Sequence, residues 1–500
     1  MSTKDKSGLV ARSATIAPAA HKSDKSVIPA DEDMKTRLLR RTATVLFILS
    51  ITITMLTHGA VYPIAAGLAA ILMASSLALA YFAMGLPRAT GGLFKTALAC
   101  WVLVVFWCEF QGMPAPFGLA GHSAWTALAE MGIAADASVS PTPGVVRGGV
   151  VAISLPAMTL LCVLMLFRRD SAVERALWVF AVSGGCLAVF ALFQYVAFPH
   201  SLMLGEKLHY LGNLTAPFVN RNTAATFYGV SLIALLSHFK GLQFQVIPGS
   251  SLFYNRSGWS ARKALLWVLL TCASFGAVLA TSSRGGVFAT FVALLVMFAA
   301  ATFFPPVPSQ RAGFAGQPTS SVKARLLKVV AVLLILLLVA SLFAGRVVLR
   351  AEIQGVDDSR FCVLPGILAA IHDGLPFGIG PGAFINVFPA YRDASCGMAG
   401  VWNMAHDVYL DGLLALGIPF LVVLVAMLAA ISLLLRRGIL HRKSRRLFVV
   451  GGIATCVLVA VHSLVDFSLQ IPGFATWWLI YLGMVASISG GRKSSGEREN

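Results

Sequence analysis

The chain has 500 residues, 57% of them hydrophobic and only 12% charged, with a mean hydropathy of +0.80. A water-soluble protein of this size needs more charge to cover its surface, and long apolar stretches recur, so the composition excludes a soluble globular fold and reads as a polytopic membrane protein. A formal charge of +18 would suit nucleic acid, but in a membrane protein the placement of Lys and Arg is informative before their sum.

Residues 1–40 are polar, rich in Ser, Lys and Ala, and read as a cytoplasmic tail without a packed core. The first apolar run starts near Thr42 and others follow it, so no cleavable signal peptide is expected. The apolar runs predict an all-α fold of about twelve spans, at 41–57, 61–80, 91–109, 147–167, 173–197, 222–237, 264–281, 285–304, 324–344, 411–435, 446–464 and 472–489. Most reach the ~17–25 residues that cross the hydrocarbon. The sixth is short, and the turn between the seventh and eighth is tight. This reading places helices one to nine over 41–344, a large outer cap loop over 345–410, helices ten to twelve over 411–489, and a short cytoplasmic tail at 490–500. Within the cap, FCVLPGILAAIHDGLP (361–376) predicts an amphipathic helix, followed by the glycine-rich FGIGPGAF (377–384).

Charge placement tests the span assignment. With the N-terminus inside, 31 of the 39 Lys and Arg fall on inner segments and their borders, in clusters such as FRRD (167–170) and LRRGILHRKSRR (435–446). The outer eight are Arg147, Lys207, Arg221, Arg284, Arg346, Arg350, Arg360 and Arg392. Without the N-terminal tail the inner side still leads by 22 to 8, as the positive-inside rule requires. The net charge is therefore mainly a topology signal, and no nucleic-acid partner is expected.

The outer arginines sit in polar company. Arg221 lies in PFVNRNTAATF (217–227) between Asn220 and Asn222, and Arg284 lies in TSSRGG (281–286). Arg346 and Arg350 are four apart, hence on one face if the ninth helix continues outward, and Arg360 closes DDSR (357–360). Guanidinium groups at a membrane border present planar donors suited to phosphate oxygens; snorkelling or loop solubility is the plainer reading.

The stretch VWNMAHDVYLDGLLALGIPF (401–420) sets His406, Asp407 and Asp411 before an apolar run. Acids in the first turns of a helix are favoured by its dipole, which accounts for Asp407 and Asp411 but not for the histidine. A neutral imidazole can take a proton from a hydroxyl near neutral pH, so His406 is a candidate general base. HSLVDF (462–467) sets His462 and Asp466 on one helical face, either as an interhelical contact or as part of the chemistry. FGIGPGAF has no Lys and follows no strand, so it reads as a tight turn beside the bilayer rather than a phosphate cradle. Of the eight cysteines, Cys362 and Cys396 both fall in the oxidising compartment and are candidates for a disulfide across the cap. No zinc or iron–sulfur spacing is present.

Taken together, PFVNRNTAATF, TSSRGG, DDSR, FGIGPGAF and AHDVYLDGLLALGIPF resemble the O-antigen ligase and polymerase family of bacterial membrane glycosyltransferases, in family order over residues 210–430. This chain has His406-Asp407 where the family often has His-Asn. The resemblance implies a multi-pass protein of the bacterial inner membrane whose active site faces the periplasm. It implies an inverting enzyme that needs no metal or other cofactor and takes its glycan from a polyprenyl-diphosphate carrier. In that scheme His406 is the base or acceptor-orienting group. Arg221 and Arg284, with Arg346 or Arg350 from the cap side, contact the diphosphate. Asn220, Asp407, Asp411, His462 and Asp466 support them. The partners are the lipid-linked glycan, an acceptor and membrane lipids. The acceptor is lipid A–core for a ligase or a growing chain for a polymerase of O-antigen, capsule or exopolysaccharide; a third member type transfers to protein hydroxyls. A transporter or flippase of lipid-linked glycans is the rival class, but no matching halves stand out.

Overall fold

The apolar runs become helices because a chain in hydrocarbon must satisfy its own N–H and C=O groups. The computed structural model describes residues 33–114, 117, 121–238, 244–246, 253–255, 261–305, 327, 330, 334, 359–396 and 401–491. It is 76% helical, with two short antiparallel hairpins, Ser201–Leu202 on Gly205–Glu206 and Phe244–Val246 on Phe253–Asn255. The N-terminal helices are α1 (Met34–Leu56), α2 (Pro63–Met84), α3 (Gly91–Gly112), α4 (Ser123–Glu130), α5 (Pro143–Leu166) and α6 (Asp170–Ala197). The middle of the chain gives α7 (Arg221–Leu236), α8 (Ala261–Ala280) and α9 (Arg284–Phe303). The remainder are α10 (Ser359–Gly374), α11 (Phe384–Val387), α12 (Val408–Leu416), α13 (Ile418–His441), α14 (Arg446–His462) and α15 (Pro472–Gly490).

Ten of these, among the described residues, are long and apolar enough to cross a bilayer: α1, α2, α3, α5, α6, α8, α9, α13, α15, and α14 with the 3-10 turn Lys443–Arg445 before it. The protein is thus an all-α, multi-pass membrane protein. The short sixth span is α7, which at 16 residues falls below the usual crossing length. Every residue from Asn222 to Leu235 is buried, because α7 is packed on all sides by α6, α8, α9, α14 and α15. The expected span at 324–344 lies outside the described residues, apart from three helical positions at 327, 330 and 334.

The tenth span is a correction. It starts at Ile418, not at 411, because the chain breaks at Gly417 (φ +65°). The Ile418 N–H donates to Pro376 O at 3.0 Å, and a Cβ on residue 417 would stand 2.1 Å from that same oxygen. Only glycine fits such a left-handed, close approach. The preceding α12 turns aside and joins α10 and α11 in a second, separate apolar core that includes Val363, Ile367, Ile371, Phe384, Phe388 and Leu414.

Small residues bring the bundle helices close, as packing inside a membrane demands. Ser50 Oγ donates to Ala69 O at 2.8 Å and Ser76 Oγ to Ala43 O at 2.7 Å, zipping α1 to α2. At the centre, Trp477 of α15 stacks on Phe180 of α6 (ring centroids 4.1 Å apart) and meets Phe227 of α7 at 4.9 Å. The glycine-rich turn 377–384 fastens the cap to the bundle. Gln111 Nε2 of α3 donates to Phe377 O at 2.7 Å and to Ala415 O at 2.8 Å. Ile379 N and Gly380 N donate to Leu414 O and Ala415 O, each at 2.9 Å. These contacts give FGIGPGAF a joinery role between α3 and α12.

Candidate functional site

Four segments distant in sequence meet at one end of the bundle: the loop 198–220 with the start of α7, the α8–α9 turn, the loop 401–407 with α12, and the α14–α15 connection. A buried polar network ties three of them together. Asn220 caps α7, its Oδ1 accepting from Asn222 N at 2.7 Å. The Asn222 side chain is the hub. Its Nδ2 donates to Asp466 Oδ1 at 2.9 Å and its Oδ1 accepts from Ser283 Oγ at 2.7 Å. Ser283 in turn caps α9 by accepting from Gly286 N at 3.2 Å. Thr226, one turn along α7 from Asn222, lies 2.7 Å from His462 Nδ1, and Ser468 donates to Asp466 Oδ2. Buried polar groups are tolerated in an apolar bundle only when satisfied in this way.

His462 and Asp466 are both buried, with the ring nitrogen and the carboxylate 4.0 Å apart. Because α14 ends at His462, they meet across the turn that follows rather than along one helical face. Their partners on α7 make them an interhelical brace.

Arg221 is half-buried. Its guanidinium donates to Asn213 Oδ1 at 3.4 Å and lies over the Tyr210 ring, 5.7 Å from the centroid. The buried Lys207 donates to Asn213 O, so two cations converge on one asparagine. Burial lowers the Lys207 pKa. Arg284, the first residue of α9, is exposed at the same end, and the next residue packs against His462 and Val465. Arg346 and Arg350 lie outside the described residues, as does Asp357-Asp358; Arg360 is the second residue of α10.

His406 holds a left-handed backbone (φ +56°), a conformation that costs a non-glycine residue energy and is kept only where the surroundings enforce it. The enforcement is visible on both sides. Asp411 Oδ1 accepts from Ala405 N at 3.2 Å, and Asp411 Oδ2 accepts from Gln470 Nε2. Asp407 Oδ1 caps α12 by accepting from Tyr409 N (2.8 Å) and Leu410 N (2.9 Å). Val408 N donates to Ser463 O at 2.9 Å and Tyr409 Oη to Ala460 O at 3.0 Å, docking α12 on the end of α14. Burial pushes Asp411 up to about 6, against the two hydrogen bonds that favour its charged form. The imidazole itself sits edge-on to Trp402 (5.3 Å) and Phe467 (4.8 Å).

A cavity of about 550 Å³ opens among these segments. Its polar wall includes His58, His209, Asn220, Thr223 and Asn403; its apolar wall includes Phe218, Phe467 and Ile471. His406 packs on Phe467, and Arg221 lies over Tyr210, which also lines the cavity. The two groups therefore flank one amphiphilic space. Sequence reasoning missed His58, Asn222 as hub, Thr226, Ser283, Asn403 and Gln470, and named Lys207 only as an outer charge. Asn222 and Thr226 carried a signal, being polar residues four apart in the polar first turns of a helix that ends apolar.

Cys362 is disulfide-bonded, and the free thiols among the described residues are Cys100, Cys108, Cys162, Cys186, Cys272 and Cys456. Of the eight cysteines, this leaves Cys396 as the partner expected from the sequence. Among the described residues no group of three or more His, Cys, Asp and Glu is placed to hold a metal ion. No protein-family model matches the chain, and no curated protein is significantly similar to it.

Proposed function

We propose that this protein transfers a glycan from a polyprenyl-diphosphate carrier to an acceptor hydroxyl on the extracytoplasmic face of a bacterial inner membrane, with lipid A–core as the acceptor. The observation that carries the reading is one amphiphilic cavity at the bundle end with both groups behind its lining: His406 packs on Phe467 and Arg221 lies over Tyr210, and both of those rings line it. The basic clusters at 167–170 and 435–446 occupy the other end, and the positive-inside rule assigns that end to the cytoplasm.

In this mechanism the acceptor hydroxyl gives its proton to the neutral imidazole of His406 as its oxygen bonds to the anomeric carbon. The bond from that carbon to the diphosphate breaks, with inversion, and polyprenyl diphosphate leaves. Its growing negative charge is met by Arg221, with Arg284 at the rim and Lys207 behind; preorganised cations in a partly dry site stabilise such charge strongly. The lipid tail stays in the hydrocarbon. Asp407 acts as a helix cap, a task that Asn performs equally well, so the His-Asp pair keeps what the family's His-Asn pair does.

The test is a deletion strain complemented with variants. His406→Ala is expected to insert and accumulate normally while glycan transfer falls by at least ~100-fold, the usual scale for losing a general base. Undiminished transfer would remove the proposed base. Arg221→Ala and Arg284→Ala are expected to slow turnover of a diphosphate-linked donor, and wild-type kinetics from both would defeat their role. Full-length lipid-linked chains accumulating in the deletion strain mark a ligase; single unpolymerised units mark a polymerase.

A further inference from the structure

An arginine-lined cavity lies at the opposite end from His406 and takes no part in the chemistry above. A cavity of about 940 Å³ opens between the start of α1, the end of α2 and the α5–α6 turn, and Arg40, Arg41, Arg168, Arg169 and Arg175 all line it. Among the described residues no carboxylate lines it. The two acids on the same stretch of α6 are engaged elsewhere: Asp170 pairs with Arg442 and, at 3.2 Å, with Arg445, and Glu174 pairs with Arg445 at 2.5 Å. Among the described residues no carboxylate pairs with Arg41, Arg169 or Arg175, and all three are exposed.

The floor of the cavity is rigid. Arg168 donates from Nε to Met165 O at 2.8 Å, from Nη1 to Met84 O at 2.7 Å, and to Gly85 O, closing the carboxyl ends of α5 and α2. The remaining wall is apolar, with Val45, Ala83, Met84, Leu166 and Phe167. Val45 in this wall is 54% exposed and Phe82, which precedes the lining residue Ala83 on α2, is 75% exposed, so the rim of the cavity carries apolar surface of the kind that faces hydrocarbon. A second space of about 440 Å³, which shares Met84, Phe167 and Arg168, extends it to Arg88.

Guanidinium groups bind phosphate oxygens through paired N–H donors. Basic pockets between membrane helices at the cytoplasmic border take acidic lipid headgroups. From the charge, the apolar rim and the apolar wall, we infer that this cavity is a binding site for the phosphodiester headgroup of an anionic phospholipid. The site is independent of the glycan-transfer reading.

The test uses the full-length protein, purified in detergent, delipidated, and titrated with cardiolipin, phosphatidylglycerol, phosphatidylcholine or inorganic phosphate. Bound lipid is counted by native mass spectrometry. Wild type is expected to retain cardiolipin or phosphatidylglycerol over phosphatidylcholine, without displacement by millimolar phosphate. The triple variant Arg41→Gln/Arg169→Gln/Arg175→Gln is expected to bind the anionic lipids on the order of 100-fold more weakly, about fivefold per arginine. If the triple variant does not accumulate, single Arg41→Gln and Arg175→Gln proteins serve the same comparison, each with the fivefold loss. Equal affinity for phosphatidylcholine, an unchanged affinity in the variants, or displacement by free phosphate would overturn the assignment.

Discussion

Asp407 and Asp411 look alike in the sequence, two acids ahead of an apolar run, yet they do different work. Asp407 caps α12 with two backbone N–H groups on one oxygen. Asp407→Asn is therefore expected to leave the thermal midpoint and transfer near wild type, whereas Asp407→Ala loses about 1 kcal/mol of stability. Detergent-phase thermal unfolding checks both. Asp411 instead spans Ala405 and Gln470. Its folded pKa of about 6 lies above the ~3.9 of an unfolded aspartate, so the native state holds this proton more tightly. Its contribution to stability is complete below about pH 4 and is lost as pH rises through about 6. Between pH 4 and 7 the midpoint of wild type is expected to fall relative to that of Asp411→Asn, which retains an acceptor for Ala405; parallel curves would contradict this. Acids near a helix start are legible from the helix dipole, but the split between cap and strut depends on Gln470, 59 residues away, and no local pattern encodes it.

At the level of elements, apolar length made most helices legible and left two things hidden. One was α7. Its shortness was visible, but that a 16-residue helix lies wholly inside the bundle follows from the neighbours around it, not from its own composition. The other was the break at Gly417. The apolar pattern of 411–435 contains Gly417 and Pro419, but the geometry of the break rests on Pro376 O, an atom contributed by the cap, which accepts the Ile418 N–H. Gly417→Ala is expected to lower the thermal midpoint, with about 1–3 kcal/mol from a positive-φ backbone that glycine alone adopts readily and more from the collision. Gly67→Ala makes the control: that position on α2 has open space around it, and alanine inside a helix is favoured by roughly 0.5–1 kcal/mol. Equal loss from both variants would mean that the break at 417 is not what glycine is there to permit.

For the whole molecule, the distribution of charge was readable from the sequence and the assembly of the site was not. Clusters of Lys and Arg mark alternate loops, and the structure collects the ends of α2, α5 and α13 at one pole, away from Arg221, Arg284 and His406. A membrane-impermeant thiol reagent applied to intact cells is expected to label Asp136→Cys, in the exposed loop before α5, well above the wild-type background. Lys443→Cys, at the other pole, is expected to stay at that background until the membrane is broken. The reverse pattern would invert the proposed orientation and with it the compartment of His406. What the sequence could not supply was the meeting of Asn222, Ser283 and Asp466, since their association depends on how α7, α9 and α14 pack rather than on any spacing along the chain.

The fastening around His406 carries its own consequence. Its neighbour Ala405 is tied to Asp411, Asp407 closes the next turn, and Val408 is bonded to Ser463 at the end of a spanning helix. With the backbone on both sides of it held, His406 keeps a set height at the end of the bundle. In the proposed transfer, a substrate tethered by its tail has to present its reacting carbon at that height, so the site would act as a gauge, and sugars held one residue too high or too low by the acceptor or carrier would pass it unreacted.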